Sequence, residues 1–274
     1  MPGADAQSWR LNSFIDDIGD RALRYTEKLD DPEHGETDAL RELAAHVEVL
    51  IDRPILLALG RRGNQLMFGT LYDKAAKVKP GEEAWRAPLL AGLMAAEVEF
   101  RGPLRLSQTQ NTLLAAKYQT LAGELTRYGL LAHAVLAWRR TVALHHLTED
   151  VQAEDRCGLA LARARRQATP RGWRRALSAT SDLLCGYGYR PFWLLGWVAV
   201  QILVCTVLAL VWAGSKSWTE VVYLGTTTFL GPLGPANTEG MAAPARILFA
   251  AETWLGAVSM SVFFALLVRR WFRQ

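Results

Sequence analysis

Cysteine, histidine and charge are scarce in this chain where chemistry would need them, and each shortage removes a class of function. The three cysteines are Cys157, Cys185 and Cys205. They are odd in number and far apart, and Cys205 lies inside a long apolar run. Neither a disulfide framework nor a zinc spacing is present, and a reduced environment is expected. The five histidines make no metal set. His145 and His146 are adjacent and so point to different faces of a helix, and no His-Glu-x-x-His occurs. Gly60-Arg61-Arg62-Gly63 lacks the Gly-Lys-Ser/Thr ending of a phosphate loop. No nucleophile, base and orienting group come together, so neither an enzyme nor an organic cofactor is expected. Met1–Gln7 has no apolar core, which argues against a signal peptide.

Charge is also missing from two stretches near the carboxyl end. Phe192–Ala213 has none, with Gln201 and Thr206 as its polar interruptions, and Ala245–Val268 has Arg246 at its outer edge and one interior acid, Glu252. At about 1.5 Å per helical residue, each covers the ~30 Å hydrocarbon core of a bilayer. Between them lies Gly214–Pro244. There Ser217-Trp218-Thr219-Glu220 has the Ser-x-x-Glu spacing of a capping box. The apolar run Val221–Leu230 follows, and Gly231-Pro232-Leu233-Gly234-Pro235 ends any helix. A helix from Trp218 to Leu230 is too short to cross a bilayer, which implies re-entrant or interfacial backbone. Such backbone is tolerated at that depth only where protein or a water-filled cavity covers it.

Span, short helix, Thr/Gly-rich turn, span: this order resembles the two-transmembrane, potassium-channel-like family. Arg246–Gly256, then Phe263-Phe264-Ala265-Leu266-Leu267-Val268-Arg269-Arg270, is similar to that family's inner helix, with an acid four residues before a glycine and a basic end. Cys185-Gly186-Tyr187-Gly188-Tyr189-Arg190-Pro191 resembles the lead-in of bacterial channel-like proteins with soluble amino-terminal domains. The resemblance implies a homotetramer around a central axis. It implies a pore segment of Thr226, Thr227, Thr228, Phe229, Leu230, Gly231, Pro232, Leu233 and Gly234, occupied by monovalent cations such as K+ or Na+. The family's filter reads Thr-x-Gly-Tyr-Gly, whose carbonyls replace the hydration shell of potassium. Here the glycines are three apart, Pro232 stands between them, and neither the aromatic nor the following acid is present. The architecture is carried over; potassium selectivity is not. Glu252 reads as a brace or cation-attracting charge behind the filter, or as an acid near enough to the outer surface to be solvated. Gly256 reads as a gating hinge or as a close-packing glycine.

The net charge of +4 is unevenly placed. Arg156, Arg163, Arg165, Arg166, Arg171, Arg174, Arg175 and Arg190 precede the first span, and Arg269, Arg270 and Arg273 follow the second. Lys216 is the basic residue of the linking segment. The positive-inside rule then places both termini in the cytoplasm of a multi-pass protein of the plasma (inner) membrane. The arginine run beside a span reads as meeting membrane lipid, and no nucleic acid is expected. Trp173, Ala176, Leu177, Thr180 and Leu184 share one face of an interfacial helix. Trp193, Trp212, Trp218 and Trp271 fit an aromatic belt.

The fold class expected is mainly α: a cytosolic helical domain with room for a few short strands, followed by a two-transmembrane channel-like hairpin with a re-entrant pore loop. Residues 1–107 form the amino-terminal region, with helices over residues 8–30 and Glu36–Val49. Short strands are expected near Val47–Leu59 and Val98–Leu106, and turns near Gly60–Asn64 and Lys79–Glu83. Residues 108–170 form a helical region in which Tyr118, Leu121, Ala122, Leu125, Gly129, Ala134 and Trp138 resemble a tetratricopeptide-type helical pair, a plain helical hairpin being the other reading. Residues 171–191 are the interfacial helix and lead-in, and residues 192–274 the pore domain. The expected function is monovalent cation conduction through a tetrameric pore with a non-standard selectivity filter, with a ligand or protein partner acting on the cytosolic domain. The alternative is a non-conducting, membrane-tethered protein-interaction module with a degenerate pore loop.

Overall fold

The computed structural model describes residues 3–29, 36–59, 63–78, 85–169, 191–212, 217–230 and 242–271. Every regular element among them is a helix. The chain divides into two compact units, Met1–Gly172 and Trp173–Gln274, each described by itself.

The first unit contains α1 (Gly3–Leu29), α2 (Glu36–Ile51), α3 (Ile55–Leu59), α4 (Gly69–Ala76), α5 (Arg86–Arg101), α6 (Gln108–Arg127), α7 (Leu131–Leu147) and α8 (Val151–Ala168). Helical spacing explains the outer helices. Phe14, Ile18, Ala22 and Tyr25 bury one stripe of α1, and Ala39, Leu43, Val47 and Leu50 bury one stripe of α2. At the start of α6, the Ser107 hydroxyl accepts from the Gln110 amide at 3.2 Å and the Gln110 side chain accepts from the Ser107 amide at 3.0 Å. This reciprocal pair satisfies donors that the first helical turn leaves free. Between α6 and α7, Gly129 takes φ +82°, and the amides of Gly129 and Leu130 close back on the carbonyls of Thr126 and Leu125. That closure needs a left-handed residue, which glycine supplies at no steric cost. α7 then packs along both α6 and α8.

At the centre stands α5, against α1, α2, α4 and α6. Its residues Leu89–Val98 are all buried. At Gly92 an added Cβ would lie 3.0 Å from the Ala75 Cβ and 3.1 Å from the Leu121 Cδ2, so the absent side chain sets the approach of α4 and α6.

No strand occurs among the described residues, which corrects the strands expected in residues 47–106. Val47 and Leu50 complete the buried stripe of α2, which runs to Ile51; Pro54 then separates it from α3. Val98 and Phe100 belong to α5. The alternation that suggested a strand requires Glu99 to face water, whereas Glu99 is held by the Met67 amide and the Tyr72 hydroxyl; Arg101 is exposed and reaches Glu48 at the surface. The turn residues 30–35, 60–62 and 79–84 lie outside the described residues.

One ionic contact sits inside this core. Glu97, 2% exposed, accepts from Arg140 Nε at 2.8 Å, from Arg140 Nη2 at 2.9 Å and from the Tyr118 hydroxyl at 2.9 Å. The Arg140 guanidinium also lies 4.6 Å from the centre of the Phe100 ring. Burial together with the Glu97 charge holds the Tyr118 hydroxyl well above its usual range. Removing one member of a buried pair strands the other charge, so Arg140→Met is expected to cost about 3 kcal/mol. Adding Glu97→Gln should recover most of that loss. Denaturant unfolding of the full chain in detergent, followed by circular dichroism, measures both values.

His46 gives this unit a pH dependence. Burial lowers its pKa from 6.5, the Glu42 charge opposing, and Arg21, Lys28 and Arg24 add to the lowering. A lowered folded pKa means that the unfolded chain binds the proton more tightly. Stability is therefore full above about pH 6.5 and falls as the pH drops through the folded value. His46→Gln is expected to flatten the fall of the unfolding midpoint between about pH 7 and pH 5.

Candidate functional site

The second unit has three described helices, α9 (Pro191–Val211), α10 (Trp218–Leu230) and α11 (Ala243–Trp271), each packed on the other two. The Ser217 hydroxyl accepts from the Glu220 amide at 3.4 Å, which places a cap where the sequence spacing put one. At about 1.5 Å per residue, α10 is about 20 Å long, short of the ~30 Å hydrocarbon core.

Its inward face is Val221, Leu224 and Gly225, at the spacing of neighbours on one helix face. Ala209 of α9, Val221 of α10, and Ala245 and Phe249 of α11 form a small apolar core with Leu224 and Leu248 around them. Gly225 is what allows this fit. A Cβ there would stand 2.7 Å from the Thr206 Oγ1 and 3.9 Å from the Phe249 Cε1.

Glu252 lies on the buried face of α11, one turn from Phe249. It is completely buried, and neither carboxylate oxygen has a hydrogen-bond partner. Cys205 of α9 lies within electrostatic reach of it. One turn from Cys205, the Gln201 amide nitrogen is also buried and unpartnered. Gly256, one turn further along α11 than Glu252, is buried too. Structure thus brings Glu252 and Gly256 onto the face that meets the other two helices. Among the described residues no three metal-ligating side chains cluster.

The first part of the segment expected to line a pore lies within α10. Thr226 is exposed and its hydroxyl donates to the Val222 carbonyl at 3.0 Å, while the Thr227 hydroxyl donates to the Tyr223 carbonyl at 2.7 Å. Thr228, Phe229 and Leu230 are still within α10. Carbonyls of helical backbone point along the helix axis and form no extended ladder. Gly231, Pro232, Leu233 and Gly234 lie outside the described residues, as do the interfacial helix expected over Trp173–Leu184 and the lead-in Cys185–Arg190.

Much apolar surface of this unit is uncovered. Within α11, Ala243–Ala265 is long and apolar enough to cross a membrane, and 17% of that stretch is buried. A core helix of that composition would be mostly covered. The apolar part of α9 with described side chains, Leu195–Val211, is shorter. Only one described helix therefore meets the length of a span, where the sequence reading expected two. Leu203, Val211, Tyr223, Ile247 and Trp254 are each more than 60% exposed, a patch of the kind that marks a membrane or protein contact.

Sequence reading singled out Thr206 as a polar interruption of the first apolar stretch but missed the close approach of Gly225 to it and the place of Cys205 near Glu252. A glycine four residues after an apolar Val221 was the available signal, but glycine inside a Thr-rich run was absorbed into the expected filter. Comparison with family models, with curated proteins and with solved structures gave no match.

Gly225→Ala is expected to loosen the packing of α10 and lower the thermal midpoint of the detergent-solubilised chain, because its Cβ meets the Thr206 hydroxyl. Thr206→Ala in the same chain removes that oxygen and should restore most of the midpoint. An unchanged midpoint in the single variant contradicts the close approach.

Proposed function

We propose that the Trp173–Gln274 unit is the membrane part of a cation channel-like protein resembling the two-transmembrane, potassium-channel-like family. In this reading α9 and α11 both cross the plasma (inner) membrane, the termini stay in the cytoplasm, and α10 dips into the bilayer and returns on the same side. Four copies surround an axis, and monovalent cations such as K+ or Na+ pass along the turn that follows α10, with no potassium filter of the usual form.

The observation that carries the proposal is the seat of α10. A helix too short to span is wedged between two long apolar helices at Gly225, and a fully buried, unpartnered carboxylate stands on the same packed face. An ionised carboxylate in lipid costs a few kcal/mol and is kept only where protein, water or a cation compensates it. A helix that also ends its carbonyls at Leu230 presents a negative terminus there, which favours a cation. One copy leaves the apolar flanks of these helices open, and neighbouring copies cover them.

The second reading is a membrane-tethered protein-interaction module with a silent pore loop. It is favoured by the continuation of α10 through Leu230 and by threonine hydroxyls already bonded inside their own helix. Ion flux from liposomes holding the purified full chain separates the readings. Channel function predicts flux of K+ or Na+ that is lost in Gly231→Val or Gly234→Val and altered in Glu252→Gln. Flux equal to that of empty vesicles favours the tether.

A further inference from the structure

The first unit holds a cavity of about 160 Å³ where two loops meet. One loop runs from Gln65 to Phe68, ahead of α4; the other runs from Gly102 to Leu106, between α5 and α6. Leu11, Leu56, Leu66, Phe68 and Val98 make its wall apolar. A cavity of about 150 Å³ with similar lining is large enough for benzene.

Its polar groups are unequally satisfied. Gln110 has spent both kinds of valence: its amide nitrogen donates to the carbonyls of Gly63 at 3.3 Å and Gln65 at 3.1 Å, and its oxygen accepts from Ser107. Glu99 has not. The Met67 amide reaches one of its oxygens and the Tyr72 hydroxyl the other, each at 2.7 Å, with the Phe68 amide beside them. All three donors are neutral, and no Lys, Arg or His pairs with Glu99 among the described residues. Each carboxylate oxygen accepts more than one hydrogen bond, so acceptor capacity remains at the cavity wall; burial raises the Glu99 pKa, and a cation bound beside it would oppose that rise. By contrast Glu97, two residues earlier on α5, is neutralised by Arg140. Among the described residues the pocket therefore lacks a donor that carries positive charge.

We infer that this cavity is a binding site for a small organic ammonium ion, a single amine on an apolar body the size of one ring. The ring fills the Leu/Phe/Val-lined space and the ammonium group donates to Glu99. A carboxylate–ammonium hydrogen bond is about twice as strong as a neutral one, so charge, and not size alone, sets the preference. The site belongs to the first unit and stands independently of what the second unit conducts.

Benzylamine and its neutral isostere benzyl alcohol test this by calorimetric titration of the full chain in detergent. Leu104→Trp, at the cavity wall, serves as the reference, because partition into micelles is common to both proteins and cancels. Expected are saturable benzylamine binding that Leu104→Trp abolishes, a preference of about tenfold or more over benzyl alcohol, and loss of that preference in Glu99→Gln. Coincident wild-type and Leu104→Trp isotherms overturn the site. Equal affinity of wild type for the two probes, or a preference that survives in Glu99→Gln, overturns the role of the charge.

Discussion

A carboxylate buried without a partner is the constraint on which the second unit turns. Glu252 sits on the one face of α11 that meets α9 and α10, and its oxygens meet no donor there. Nothing in apolar packing rewards that placement. Phe249 and Gly256 on either side of it show that the face is otherwise built for close contact. The acid is thus an exception within a well-packed seam, and such exceptions in apolar helices point to function. Cys205 of α9 lies within electrostatic reach of the acid. The seam thus sets one buried acid among apolar contacts, while the outer faces of the helices are apolar and exposed. The channel proposal uses both features.

Two acids on one helix show how context decides what a charge does. Glu97 and Glu99 both lie on α5 and both point into protein. Glu97 finds Arg140 and becomes part of the core. Among the described residues Glu99 finds neutral donors, beside an apolar cavity, and keeps acceptor capacity to spare. The pairing of Glu97 stabilises an arrangement of helices; the lack of pairing at Glu99 leaves chemistry for a ligand.

The amphipathic helices were legible in the sequence because each buries a single stripe. Ile18, Leu43 and Val47 are core residues of α1 and α2, where helices were expected over residues 8–30 and Glu36–Val49, and Tyr118, Leu125 and Ala134 are core residues of the α6–α7 hairpin. α5 was not legible, because a helix buried on every side has no period to detect. Its last turn, with acids between apolar residues, imitates the alternation of a strand. Glu252 and Gly256 were legible as an acid and a glycine out of place in an apolar run. Thr206 was visible as a polar interruption, but the role of Gly225 was not, since it comes from an approach between two helices that no single segment reveals. The threonines of α10 were visible too, but sequence alone could not show that their hydroxyls turn back onto their own helix.

The most direct test of the central claim is the mass of the intact chain released from native membranes into detergent, measured by native mass spectrometry. A short helix whose outer face, with Tyr223 exposed, is covered by neighbouring copies predicts a four-chain particle, with few single chains. Single chains throughout, stable at the same detergent concentration, contradict the account, because no central axis would then exist and the exposed face of α10 would meet lipid alone.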